Sequence, residues 1–454
     1  MSAFSQVRAT AGTVPYPPPR LAWPATFILT GALALAFMDR TVLANLAIPI
    51  STELHLTDKA FSTLVGLAFA VPFALTILAG GWLSDNFNRR NVLVVAVITW
   101  SLAAIGCGLA YDYWSLFSAR AVLGVCEAAI SPCAISMIAD MFPPGPRAKA
   151  VSFYNVGSGT GVALSLLLGS FVLYGVARWH VGALPVVGAV APWHIVFVIL
   201  GLAGGIIVTL ALLTVRDPAR HGSESFAKAS LGTLLKFMAD ERKVITHHWL
   251  AMLCAGVSVW AMLGWLPTFM GRTYHWSPER VGWIYGTMFL FLTVTGAALS
   301  GSVAEWFITK RGLISGTFRT TAIGLGAFTV FGVIATLLKN PTQSLVVVAF
   351  TLIFLSVPYG PGIAALTQYI PGRIRGQIIG VYLFVFNLSS LVLGPFIVAF
   401  LEEDVFHSKA AIGPSIAVVL AVLGPIGVAL LLTGEKALQR SAIALAASEH
   451  TPAA

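Results

Sequence analysis

The chain has 454 residues, of which 57% are hydrophobic and only 10% charged, with a mean hydropathy of +0.86. A water-soluble domain carries about 25% charged residues, so this composition excludes one and indicates a membrane protein. The net charge of +9 does not indicate a nucleic-acid partner, because no basic face on a soluble domain gathers it.

Apolar runs predict twelve transmembrane helices, at about 24–47, 60–83, 91–111, 114–140, 150–176, 193–214, 246–271, 280–304, 313–338, 344–370, 377–401 and 410–433. Each is long enough, at about 1.5 Å per residue, to cross about 30 Å of hydrocarbon, where only helix satisfies the backbone. The stretch 1–23, with Pro15, Pro17, Pro18 and Pro19, lacks a signal-peptide cleavage pattern and is expected to stay attached as a cytoplasmic tail. Residues 24–214 form a first six-helix half, 215–245 a cytoplasmic linker, 246–433 a second half and 434–454 a tail with no signalling domain. In the linker, Phe226, Leu231, Leu234, Leu235 and Met238 recur at helical spacing among Lys228, Lys236 and Asp240, which predicts a short interfacial helix. Both termini are placed inside because 19 of the 27 Lys and Arg then fall in cytoplasmic segments and 6 in outer loops and adjoining helix ends. Arg40 and Arg120 remain for the membrane. Cys107, Cys126, Cys133 and Cys254 all sit in apolar runs and read as packing residues.

The halves repeat. Gly81, Asp85 and Arg90 after the second span match Gly301, Glu305 and Lys310 after the eighth at an offset of 220, and Pro143, Arg147 and Tyr154 match Pro371, Arg375 and Tyr382 at 228. Parallel six-span repeats are a transporter architecture whose site lies between the halves. The stretch Gly81-Trp82-Leu83-Ser84-Asp85-Asn86-Phe87-Asn88-Arg89-Arg90 combines a small helix-contact residue, an acid able to cap or pair with a neighbouring helix end, and arginines that hold the loop inside. This resembles the loop signature of the major facilitator superfamily, with Asn88 in place of the usual glycine as a residue tolerant of left-handed backbone. The resemblance covers the whole chain and implies an all-α fold of two pseudo-symmetric six-helix halves. It also implies a gating role for Gly81, Asp85, Arg89, Arg90, Glu305, Lys310 and Arg311.

Charges inside the spans carry the sharper signal, because each is costly in lipid unless paired or wetted. Asp39 lies ~22 Å from the inner end of the first span and Arg120 ~11 Å from the outer end of the fourth, so the two share a depth and predict a pair. Glu127 follows Arg120 by one heptad on the same face, about 10 Å deeper, with no cation expected at its level. It is therefore the candidate proton carrier. Arg40 is turned about 100° from Asp39 and is expected to snorkel outward. The second half offers no comparable mid-membrane charge but many aromatics, among them Trp260, Trp265 and Tyr359. A cavity ionic on one wall and apolar on the other suits an amphiphile.

Met38-Asp39-Arg40-Thr41-Val42-Leu43, the run Ser118–Ala128 containing Arg120 and Glu127, and the run Ser136–Pro144 are similar to the Spinster group within that superfamily. Its animal members carry lysophospholipids or sphingosine-1-phosphate, and its bacterial members look proton-driven. The resemblance implies a proton-driven transporter of an amphiphilic, anionic lipid-like substrate. Asp39 and Glu127 would exchange protons, and Arg120, with Glu127, Asp39, Trp260, Trp265 and Tyr359, would bind substrate. The alternative is a symporter of a small organic anion such as a sugar acid. No P-loop, metal-ligand spacing (His247 and His248 are adjacent), nucleophile elbow or zinc-protease motif occurs, so no cofactor, metal or enzymatic activity is expected. The fifth span, with Gly157, Gly159 and Gly161, lacks the Gly-Pro pair of many drug antiporters. The expected partners are the substrate, protons and the lipid bilayer, with no nucleic acid. The protein is expected to act as a monomer in a bacterial inner (plasma) membrane.

Overall fold

The computed structural model describes residues 16–179, 183–184, 188–189, 191–220 and 231–450. Pro15, Phe226, Lys228 and the outermost tail residues lie outside them. Among the described residues, twelve helices are long and apolar enough to span a membrane. The first six spans are Pro19–Glu53, Asp58–Val65 with Leu67–Asn86, Arg89–Gly108, Tyr113–Glu127 with Ile130–Met141, Pro144–Trp179, and Pro192–Thr214. A helix at Leu231–Asp240 precedes the second half. Its spans are Arg242–Tyr274, Pro278–Glu305, Gly316–Leu337, Pro341–Ser356 with Tyr359–Tyr369, Gly372–Phe400, and Ile412–His450. The fold is thus the expected all-α bundle. Its one small addition is a two-stranded antiparallel pair, Ala183–Leu184 with Gly188–Ala189, between spans five and six.

Local sequence accounts for the helix ends. Proline opens the first, sixth, eighth and tenth spans, where its missing N–H has no partner to lose. Thr57, Ser277 and Asn340 cap their helices through side-chain oxygens, and Asp112 with Ser115 forms a capping box. Asn88 serves the same purpose: at φ −66° it accepts from the Asn91 N–H at 3.0 Å, so it is a helix cap and not the left-handed residue expected of it. The left-handed turn appears in the second half, at Gly312 with φ +63°. The last helix continues well beyond 433 because Leu438 is buried, Glu435 pairs with Arg319 at 2.7 Å and Ser441 donates to Glu241.

The two halves repeat in detail. Arg147 donates from Nε to the Phe142 carbonyl at 3.2 Å, and Arg375, its counterpart, donates to the Ile370 carbonyl at 3.1 Å. Tyr154 and Tyr382 are both buried. We call the end of the bundle that carries Asp85 and Arg89 the motif end, and the opposite end the far end.

The apolar core is distributed unevenly between these ends. Toward the far end one cluster joins both halves, with Leu46, Ile50 and Phe61 beside Trp265, Phe269 and Tyr285. Toward the motif end the core divides into a first-half cluster around Met137 and Tyr154 and a second-half cluster around Met252 and Tyr382. Hydrogen bonds between the halves sit toward the far end: Ser62 to the Pro395 carbonyl at 3.2 Å, Ser170 to the Pro278 carbonyl at 3.2 Å, and the Asp58–Arg272 pair. The halves therefore meet at the far end and part toward the motif end.

Candidate functional site

Between the halves lies a cavity lined by Arg40, Phe69, Phe73 and Ile77 on one side and by Trp260, Leu383, Asn387, Leu388 and Leu391 on the other. It extends from Arg40 toward the motif end, along the second and eleventh spans. Its walls are mostly apolar, and Arg40 is its charged member.

Four buried charges from the first and fourth spans converge behind this surface. Arg120 donates from Nη1 to Asp39 Oδ2 at 2.6 Å, and neither residue has measurable exposure. Arg40 pairs with Glu127, with side chains 11% and 3% exposed. The second pair departs from expectation, since Arg40 was expected to turn outward and Glu127 to lack a cation. Two features explain the difference. The helix carrying Glu127 ends there, and the chain turns through Ala128 and Ala129 before Ile130, so ideal helical depths no longer apply. A guanidinium on a long flexible stem also reaches across depth and angle that backbone positions alone do not reveal.

Aromatic rings complete the charge environment. The Arg40 guanidinium carbon lies 4.9 Å from the ring centres of Phe37, Phe69 and Phe73, and that of Arg120 lies 5.2 Å from Phe69. Ring faces attract desolvated cations, which offsets part of the cost of burial. Gly124, midway between Arg120 and Glu127, permits this geometry: a Cβ there would stand 2.4 Å from the Phe69 carbonyl oxygen. The second and fourth spans can approach so closely only with glycine at this position.

The expected substrate residues separate into two groups. Trp260 lines the cavity. Trp265 is buried with its indole N–H donating to the Pro395 carbonyl at 2.9 Å, and Tyr359 packs edge-on against Phe386, so neither forms the cavity wall. Arg120, expected to meet the anion, is enclosed behind Phe69, and Arg40 holds the accessible position. Arg40 and Phe69 are the residues sequence reasoning passed over. The signal for Arg40 was its place beside Asp39, on a side chain long enough to turn inward.

At the motif end, Arg89 is 1% exposed and organises the first half. Its Nε donates to Asp217 at 2.8 Å, Nη1 to Ser136 Oγ at 3.0 Å, and Nη2 to the Pro218 carbonyl at 2.6 Å, while Asp140 completes the charge balance. Arg90 donates to the Leu212 carbonyl at 2.6 Å. Gly81 has open space where a side chain would lie. Asp85, Glu305, Lys310 and Arg311 are exposed, and Arg311 stacks over Trp306 at 4.9 Å. Of the two histidines, His247 is exposed at its ring, whereas His248 is buried with Nδ1 3.0 Å from the Tyr369 hydroxyl. Among the described residues no group of His, Cys, Asp and Glu has the geometry of a metal site.

A twelve-span bundle of two repeated halves, with charged pairs beside a cavity at their seam, is the build of a secondary transporter. The chain belongs to the Major Facilitator Superfamily, whose family model matches residues 29–395. It is 26% identical to the D-galactonate transporter of Escherichia coli O6:H1 over 84% of this chain and 89% of that protein. It is 25% identical to the probable galactarate/D-glucarate transporter GarP of Escherichia coli strain K12, over 85% and 88%. In fold it is similar to a bacterial homologue of the human lysosomal transporter Spinster, crystallised inward-facing and unoccupied. That match has a TM-score of 0.77 at 22% identity and covers 96% of this chain and all of the other. Membership in this family makes the protein a multi-pass membrane transporter and not an enzyme.

Proposed function

We propose that this protein is a proton-coupled transporter of a small organic anion, a sugar acid of the galactonate or glucarate kind, working by alternating access in a bacterial inner membrane with the motif end and both termini cytoplasmic. The observation that carries this reading is Arg40, a guanidinium at the cavity surface whose carboxylate partner, Glu127, sits behind it. With Glu127 ionised, Arg40 is held. With Glu127 protonated, the guanidinium is free to meet a substrate carboxylate. The proton and the anion thus bind together, which is the logic of symport. The Asp39–Arg120 pair, one layer deeper, fixes the position of the first span against the fourth and offers a second exchangeable proton. The names of the two curated relatives support the anion class.

The resting state of such a carrier follows from the same geometry. Halves joined at the far end and parted at the motif end present the cavity to the cytoplasm. Asp85, with Gly81, Arg89, Arg90, Glu305, Lys310 and Arg311, then belongs to the gate that closes when the cavity turns outward. The protein acts as a monomer, since one chain contains the complete cavity.

The lipid-like substrate implied by the motif resemblance is the second reading, and the apolar lining of Phe69, Phe73, Leu383, Leu388 and Leu391 favours it. Proteoliposomes with an imposed proton gradient separate the two. Labelled galactonate or glucarate is expected to accumulate saturably and to lose accumulation in Arg40→Gln. Gradient-driven movement of a lysophospholipid, with sugar acids neither accumulating nor competing, would transfer the conclusion to the amphiphile.

A further inference from the structure

The far end carries a second cluster of buried charge that the central site does not use. Arg272 donates from Nη2 and Nη1 to the two Asp58 carboxylate oxygens at 2.7 Å each, and from Nη1 to Glu402 Oε1 at 2.7 Å. Asp58 opens the second span, in the first half, whereas Arg272 and Glu402 belong to the second half. The cluster therefore crosses the seam where the halves meet. A single turn of π-helix, Leu401–Val405, closes the eleventh span and separates its three acids: Glu402 is fully buried, while Glu403 and Asp404 turn to the surface. Close backbone packing shields the cluster, since a Cβ on Gly66 would stand 2.8 Å from the Leu391 carbonyl oxygen.

Charge accounting leaves one negative charge too many. Arg272 balances one of the two buried carboxylates. Lys59 is engaged by Asp404 at 2.8 Å and Glu403 at 3.6 Å, and the remaining neighbours are Lys409, which reaches Asp58 only through space, and the exposed His407, bound to the Glu403 carbonyl. Glu402 Oε2 is buried and meets no donor, yet the Asp58 carboxyl lies within hydrogen-bonding reach of Glu402. Two ionised carboxylates facing each other away from water repel strongly, and a proton on one removes the repulsion while supplying the missing donor.

We propose that Glu402 is a second proton-binding site, occupied at neutral pH while the far end is closed and emptied when it opens. Opening carries Asp58 away with the first half and leaves Glu402 beside Arg272 in the second. Glu402 then loses the acceptor for its proton, gains water and keeps the guanidinium. A glutamate in water ionises near pH 4.3, so one proton leaves with each opening. The closed state binds the additional proton, so closure is favoured at low pH and lost as pH rises, with the open-to-closed ratio growing about tenfold per pH unit. This site is independent of the substrate assigned to the central cavity.

Spin labels at Tyr111 and Lys339, both exposed at the far end and outside the cluster, report opening in the full chain reconstituted in nanodiscs. Between about pH 5 and pH 8, a range above the ordinary glutamate value, the logarithm of the open-to-closed ratio is expected to rise with slope near one. Glu402→Gln should lower that slope by about one and hold the low-pH, closed distances. Glu402→Asp, which restores a titratable group, should recover it with a displaced midpoint. A flat wild-type response overturns the proposal, and so does a slope that Glu402→Gln leaves unchanged. An infrared band from a protonated carboxyl at neutral pH, lost in Glu402→Gln, is the accompanying signature, and its persistence in that variant counts against the assignment.

Discussion

The Asp39–Arg120 pair gives the most direct test of the buried-charge geometry. It consists of one short hydrogen bond of 2.6 Å between two residues without measurable exposure. The pair is incompletely satisfied: Asp39 Oδ1, Arg120 Nε and Arg120 Nη2 have no hydrogen-bond partner among the described residues, and a 3.4 Å contact to the Asp39 carbonyl is the only further bond from Arg120. Neutralising one partner leaves the other charged in a site that excludes water, which typically costs 3–5 kcal/mol. Asp39→Asn and Arg120→Gln each preserve shape and some hydrogen bonding, so about 3 kcal/mol is the expected loss for either alone. The double replacement leaves no orphaned charge and is expected to cost only about 1 kcal/mol, because a buried pair contributes little beyond what neutral residues of similar shape supply. Coupling of several kcal/mol follows, well above the ~0.5 kcal/mol scatter of independent sites. Titrating each protein in mixed micelles with sodium dodecyl sulfate and following tryptophan fluorescence measures the four unfolding free energies. A double variant as unstable as the two single losses combined would refute the pairing.

Two further outcomes follow from the site. In Glu127→Gln, the neutral amide no longer holds Arg40, so calorimetric titration with a sugar acid at neutral pH should show affinity raised about 10- to 100-fold, the range of one charge-assisted hydrogen bond. The same variant should lose the wild-type weakening of binding as pH rises, and unaltered pH dependence would remove Glu127 from proton coupling. In Asp85→Asn, thermal stability should change by less than ~0.5 kcal/mol because the residue is exposed. Its loss should be felt in the state with the motif end closed, so label distances across that end should shift toward separation, and unchanged distances would deny it a gating role.

What the sequence revealed, and what it hid, divides by length scale. Twelve spans and two repeated halves were legible because the period of each signal is long: an apolar run of about 20 residues, and matches such as Arg147 with Arg375 separated by a whole half. The pair of Asp39 with Arg120 was legible too, since helical rise alone places both at one depth. Arg40 was not, because its contact with Glu127 depends on a rotamer and on a helix break at Ala128 and Ala129 that no hydrophobic pattern marks. Trp265 and Tyr359 failed for a related reason. Aromatic residues in a membrane helix face cavity, core or lipid with similar composition, and their partners, the Pro395 carbonyl and the Phe386 ring, come from another span.

The same limit applies to the far-end cluster and indicates where such a transporter conceals its conformational machinery. Asp58, Arg272 and Glu402 stand at the ends of three spans, positions where charge is ordinary and carries no warning, unlike charge at mid-membrane. Their significance arises only when the two halves close, since Asp58 comes from one half and its partners from the other. Cation–carboxylate pairs within one half, such as Arg40–Glu127 or Arg89–Asp140, survive a rigid rotation of the halves, whereas a pair across the seam must break. The free energy difference between the two states of the carrier is therefore concentrated in the contacts across the seam, among them the triad at Arg272, Lys59 with Asp404, and Ser62 with the Pro395 carbonyl. Ligands that act on those contacts, protons included, move the equilibrium without touching the substrate.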